Sequence, residues 1–188
     1  MHYQIFTRII LFAFVLSAPV LGAQNASPHR EVGLQFSGIN FNGNNNISAF
    51  YKKQKSEQVY RRLRFFYGNL NAQTSEDQYY FSMSAGIAIG REKRKTLDSK
   101  LEFYQGPEFG ASLGVSALID SNTDISLGGR FGWVLGLQHS FNERWAINLE
   151  TIPSVGVNVI TATARDVTRL DLNATASNSV SIGMVRKF

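Results

Sequence analysis

Hydrophobic residues recur at every second position over long stretches of this chain. From Tyr79 the odd positions read Tyr79, Phe81, Met83, Ala85, Ile87 and Ile89, and the even ones Tyr80, Ser82, Ser84, Gly86, Ala88 and Gly90. From Ile125 the odd set is Ile125, Leu127, Gly129, Phe131, Trp133, Leu135 and Leu137, against Ser126, Gly128, Arg130, Gly132, Val134, Gly136 and Gln138. Trp145, Ile147 and Leu149, then Val155, Val157 and Val159, repeat the pattern, as do Val180, Ile182, Met184 and Phe188. Period two puts successive side chains on opposite faces of a strand, one apolar and one small or polar, and helical spacing fits none of these segments. The pattern predicts strands at 31–41, 46–54, 58–70, 78–91, 99–117, 125–141, 145–160 and 176–188. The second alternates least well and carries Lys52 and Lys53, so loop is the competing reading there.

The connectors fall into two sets. Gly43 to Asn46, Asn71 to Asp77, Asp120 to Asp124 and Thr161 to Thr175 form one; Lys55 to Glu57, Glu92 to Asp98 and Asn142 to Arg144 form the other. An all-β, up-and-down antiparallel transmembrane barrel of about eight strands places such sets at opposite ends, long loops outside and short turns at the periplasmic end. An even strand number then brings both termini to the turn end. Pro107 in Pro107-Glu108-Phe109-Gly110-Ala111 and Pro153 in Pro153-Ser154-Val155-Gly156-Val157 sit alike in successive hairpins. A duplicated hairpin and two unrelated prolines explain this equally well. Each proline lacks a ladder donor and is expected to mark a bulge.

Residues 1–23 stand apart. Arg8 is followed by an unbroken apolar run from Ile9 to Leu16, and Leu21-Gly22-Ala23 supplies small residues before Gln24. This is the layout of a cleaved secretory signal peptide, and the run is too short for a spanning helix. The expected organisation is therefore a signal peptide at 1–23 and one exported barrel domain at 24–188. Removing the leader costs one cation, leaving 18 Lys and Arg against 14 acids, a net +4. That mild excess is scattered and forms no stripe for nucleic acid. The chain has no cysteine, so neither a disulfide framework nor a lipid-modified cysteine contributes.

Three features favour lipid over water around this barrel. The non-apolar face is built from Ser82, Ser84, Gly86, Ala88, Gly110, Ser112, Gly114, Gly128, Gly132 and Gly136, residues small enough for a narrow lumen. A water-facing exterior would carry Lys and Glu instead. Aromatics gather near strand ends: Trp145, Phe141, Phe103 and Phe188 beside the turns, Tyr79, Phe81, Phe65 and Tyr67 beside the loops, as interfacial girdles do. The third is Phe188, which follows Val180, Ile182 and Met184 on the apolar face. Here the chain resembles small bacterial outer-membrane β-barrel proteins of the porin-like superfamily, whose last strand ends in an aromatic residue read by the barrel-assembly machinery. Arg186 departs from the aromatic or aliphatic residue usual two places earlier. Phe141-Asn142-Glu143-Arg144-Trp145 resembles that group's tight periplasmic turn, and Lys100 to Glu108 its long upward strand. The resemblance implies location in a bacterial outer membrane, Phe188, Met184 and Ile182 as an assembly signal, the assembly machinery as a partner during biogenesis, and outer-membrane lipid and lipopolysaccharide as surroundings.

Candidate chemistry lies mainly inside. Arg62, Arg64, Arg130, Glu102, Glu108 and Glu150 share the small-residue face. Counting register from the expected turn centres sets Arg62 and Arg64 beside Gly86 and Ser84, between the levels of Glu102 and Glu108, with Glu150 across the lumen. Two readings stand: a cross-lumen ion network, or scattered polar groups wetted by water. His139 and Ser140 suggest a nucleophile pair, but adjacent strand residues face opposite sides and cannot share a proton. The sequons at Asn25, Asn46 and Asn173 are loop composition in a bacterial chain, and no metal-ligand spacing is present. No catalytic residue, cofactor or metal is expected. The leading function class is a non-catalytic structural or interaction scaffold with a charge-plugged lumen and an unidentified surface partner. A narrow solute channel is the alternative, and a lipid-modifying enzyme the more distant one.

Overall fold

The computed structural model describes residues 29–37, 46–75, 78–118, 123–162, 167–175 and 180–188. The leader at 1–23 and its cleavage site lie outside the described residues, as do residues 38–45, which include the end of the first expected strand and most of the connector from Gly43. Alternating sequence produces ten strand segments: β1 Arg30–Ser37, β2 Asn46–Ser56, β3 Val59–Ser75, β4 Gln78–Asp98, β5 Leu101–Leu118, β6 Thr123–Ser140, β7 Trp145–Thr151, β8 Ser154–Ala162, β9 Val167–Thr175 and β10 Ser181–Lys187. All pairings are antiparallel. Sequence neighbours pair from β1 through β7; β10 then pairs with both β7 and β1, closing a ring of eight strands.

Ten segments serve eight walls because two walls are interrupted. β7 and β8 run in line along β6, separated only by Ile152 and Pro153. β9 pairs with β8 higher up, and β10 with β7 lower down. The expected loop from Thr161 to Thr175 is thus corrected: its second half is β9, where Leu170 and Leu172 continue the alternation.

Two further connectors prove to be strand. Asn71 to Ser75 pairs with Gln78 to Ser82, and Glu92 to Asp98 forms the lower end of β4, paired from Lys93 with β5. Both hairpins overshoot the roughly 9–11 residues a membrane strand requires. At the lower end of β4 the polar composition that suggested a loop is divided between the faces: Glu92 and Arg94 are buried inward, and Arg91, Lys93 and Lys95 are exposed outward. The turn at Asn142 is as expected from its composition, with Asn142 Oδ1 accepting from the amides of Arg144 and Trp145, both at 2.9 Å.

The prolines do not make bulges. Pro107 removes rungs between β4 and β5, and Pro153 separates β7 from β8, yet register is unchanged on either side of each. A missing donor deletes a hydrogen bond without inserting a residue. Trp133 N even donates to Pro153 O at 2.9 Å.

The two faces are sorted as a lipid-facing barrel requires. Ile87, Ile89, Phe109, Leu113, Leu127 and Phe131 are exposed on the outside, while Lys52, Arg62, Glu92, Glu108 and Glu150 are buried inside. A soluble barrel reverses this order. Trp145 and Phe81 lie on the outer face, and Phe141, exposed in the turn, packs edge-on to His139 with ring centroids 5.6 Å apart. Tyr79 is paired with Thr74 in β4, but its side chain and that of Tyr67 lie outside the described residues.

Candidate functional site

Strand register brings the lumen charges together. One row across the sheet reads Glu31, Lys52, Arg62, Gly90, Glu108 and Gly132, from β1 to β6. All six point inward. Arg62 therefore lies opposite Gly90, and Arg64 opposite Ala88, not Gly86 and Ser84 as turn counting suggested. The discrepancy comes from the hairpins, whose strands stay paired as far as Ser75 with Gln78 and Asp98 with Leu101, past the centres of the polar stretches.

Glycine at position 90 matters through what it lacks. A side chain there would sit against Arg62 Cγ on one flank and the Glu108 backbone on the other. Without it Arg62 Nε comes within 3.1 Å of Glu108 Oε2, two strands away. Gly136 does the same at a lower level. The Tyr104 ring occupies the space a Gly136 side chain would fill, so the Tyr104 hydroxyl donates to Glu150 Oε2 at 3.0 Å from two strands away. Asn148 Nδ2 donates in turn to that hydroxyl at 3.2 Å.

Arg62 makes the longest crossing. Its two terminal nitrogens donate to the two carboxylate oxygens of Glu150, each at 2.8 Å. β3 and β7 are four strands apart in a ring of eight, so this fork joins opposite walls. Glu108 also accepts from Arg64 and, at 2.9 Å, from Arg130. Of the six expected lumen charges, five meet in this cluster. Glu102 does not; it is partly exposed and pairs with Arg94 at 3.1 Å.

Sequence reasoning missed the other half of the network. Glu92 Oε2 lies 3.0 Å from Lys52 Nζ and 3.6 Å from Arg62, and Glu92 Oε1 accepts from Arg94 at 2.6 and 2.9 Å. Arg94 also forks onto Glu31 at 2.7 and 2.9 Å, stacks over the Tyr60 ring at 3.7 Å, and Gln138 donates to Glu31 at 3.1 Å. Lys52 lies 4.2 Å from the centre of the Tyr104 ring. The signal was present: Glu92 and Arg94 continue the even-numbered run after Gly90, Tyr104 follows Glu102, and Glu31 precedes Gly33 and Gln35 on the inner parity.

Together these ion pairs form one connected chain. Five acids (Glu31, Glu92, Glu102, Glu108, Glu150) are matched by five bases (Lys52, Arg62, Arg64, Arg94, Arg130). Glu92 and Arg62 link its upper and lower halves. Burying so many charges is tolerable only because each has an opposite partner in reach. Forked arginine–carboxylate contacts also fix geometry as well as charge.

His139 and Ser140 are not brought together. His139 is exposed on the outer face, whereas Ser140 Oγ accepts from Lys187 Nζ at 2.7 Å. Among the described residues no three His, Cys, Asp or Glu gather as a metal site.

No family model matches this chain, and no curated protein does. Solved structures resemble it in fold. The N-terminal β-barrel domain of Pseudomonas aeruginosa OprF matches with a TM-score of 0.53 at 10% identity, covering 86% of this chain and 98% of that one. Ail, the attachment invasion locus protein of Yersinia pestis, matches in its complex with the heparin analogue sucrose octasulfate. There the TM-score is 0.52 at 9% identity, over 86% of this chain and 99% of Ail.

Proposed function

We propose that this chain, which has the fold of the small bacterial outer-membrane β-barrels, is a non-catalytic outer-membrane scaffold whose lumen is closed to steady ion flow. The observation that carries this reading is the cross-lumen ion network, and above all the Arg62–Glu150 fork between opposite walls. A narrow eight-stranded lumen has little room beyond its own side chains, and here the space is taken by paired charges and the Tyr104 ring. The hairpin β3–β4 and the neighbouring outer loops are what such a scaffold offers to a surface partner or to lipopolysaccharide. The leader at 1–23 routes the chain to the envelope, and Phe188, Met184 and Ile182 serve as the signal to the assembly machinery. The opposed orientations of His139 and Ser140 support a non-catalytic role.

Planar-bilayer conductance of the refolded protein tests the plug. Native protein is expected to give no steady current, and Arg62→Ser/Arg64→Ser to raise it by unpinning Glu108 and Glu150. A large, stable native conductance would replace this reading with the narrow channel.

A further inference from the structure

Acids and bases balance across the lumen network as a whole; on the outer face of β1–β4, toward the turn end, they do not. Arg30, Lys53, Arg61 and Arg91 are direct cross-strand partners in one row over four strands. By strand parity all four point outward, away from the lumen row beside them. Neighbouring strands lie about 4.8 Å apart, and like charges directly opposite one another are destabilising. Lys55, Lys93 and Lys95 extend the cationic surface on the same parity. Among the described outward-facing residues of β1–β5 there is no acid short of Asp98, exposed at the turn end of β4 beyond a register shift, and none of the four row cations is in an ion pair among the described residues.

The next row up is apolar: Val32, Tyr51, Leu63, Ile89 and Phe109 are cross-strand partners in turn. Where the two rows meet at β2–β5 the wall is concave, forming an open groove of about 910 Å³ that includes Lys53, Arg61 and Arg91 on one side and Leu63, Ile89 and Phe109 on the other. The hollow lies beside Gly90 and Pro107, where rungs between β4 and β5 are absent.

We propose that this groove binds an anionic phospholipid of the inner leaflet, its phosphate held by Arg61 and Arg91 with Lys53, and an acyl chain lying over Leu63 and Ile89. Arginine forks match phosphate oxygens, and an anion between the guanidiniums converts an opposed like-charge pair into a bridged one. Basic residues beside an apolar surface draw anionic headgroups, and the arginine stems can lie along the apolar wall while their heads meet the headgroup layer. The turn end faces the periplasm in this fold class, which selects phospholipid over lipopolysaccharide. The inference rests on the barrel lying in the membrane and is independent of whether its lumen conducts.

Native mass spectrometry of the refolded full barrel, mixed with equal amounts of phosphatidylglycerol and phosphatidylethanolamine of matched chains, tests it. The expected result is at least a fivefold preference for phosphatidylglycerol, lost in Arg61→Ser/Arg91→Ser. Lys100→Ser/Arg144→Ser, which removes equal charge at other turns, is expected to keep the preference. Arg61→Lys/Arg91→Lys, which preserves charge, is expected to weaken it severalfold by removing the forks. Heat-modifiable migration on gels confirms that each variant is folded before it is compared. Absence of preference in the native protein overturns the proposal. So does an equal loss in the control variant, which would mean bulk charge. Displacement of phosphatidylglycerol by an equal amount of lipid A would overturn the choice of leaflet. A chain that fails to insert into vesicles at all would instead defeat the membrane reading beneath it.

Discussion

Arg62 and Glu150 stand 88 residues apart in sequence and meet across the barrel through two parallel hydrogen bonds of 2.8 Å. Neither is a neighbour of the other on any sheet row. Their meeting depends on a ring that closes and on the small residues that leave the space between them open.

Breaking one side of this fork leaves a buried charge behind, which typically costs about 3–5 kcal/mol. Glu150→Leu and Arg62→Leu are each expected to destabilise the barrel by an amount in that range. The double variant should cost less than the sum, because no orphaned partner remains in the fork. Urea titration in lipid vesicles gives the coupling; strictly additive losses would mean that the fork contributes no interaction of its own.

Glu92 touches Lys52, Arg62 and Arg94, so its charge is worth more than its position near a turn suggests. Glu92→Gln is expected to destabilise more than Glu102→Gln, whose partly exposed carboxylate has water as an alternative. The same titration compares them, and equal midpoints would remove Glu92 from the centre of the network.

Two glycines on β6 separate the faces by experiment. Gly136 lies against the Tyr104 ring, whereas a side chain on Gly129 would meet only Val157 Cγ1 at 3.8 Å. Gly136→Ala should cost about 1–3 kcal/mol through overpacking, while Gly129→Ala should be close to neutral. Reversed values would place the lumen on the wrong side of β6.

On the outer wall, Phe131 lies midway along β6 with its ring 5.0 Å from that of Phe109. Phe131→Arg is expected to cost on the order of 2–4 kcal/mol if lipid surrounds this level. A loss below about 1 kcal/mol in vesicles, the range for positions near or outside the interface, would speak for water there.

Phe188 closes the seam: its amide donates to Arg30 O at 2.8 Å, and Arg30 N donates back at 3.2 Å. The Arg186 guanidinium lies over the Phe188 ring at 5.0 Å. Phe188→Ser keeps the backbone bonds and removes the ring. The folded, heat-modifiable fraction in cells is expected to fall severalfold while refolding of purified protein in vitro changes little. Equal loss in both settings would point to stability instead of assembly.

The faces of this barrel were legible from sequence alone, because a strand alternates its side chains with a period of two whatever its neighbours do. That determined which residues of β4, β6 and β7 face out and that Arg62, Arg64, Glu108 and Glu150 face in, while the polar composition of 142–144 marked a connector there. Parity also marked Glu92, Arg94 and Tyr104 as inward, but polar composition disguised the lower end of β4 as a loop and broke the run at Gly90. Only the tertiary structure decided which charges meet. Register is set by where each hairpin turns, and moving two turn centres by a few residues carried Arg62 from Gly86 to Gly90 and so onto the level of Glu108. The Arg62–Glu150 fork and the outer row of Arg30, Lys53, Arg61 and Arg91 arise the same way: both are juxtapositions of distant segments, created by ring closure and strand register, for which local sequence carries no signal.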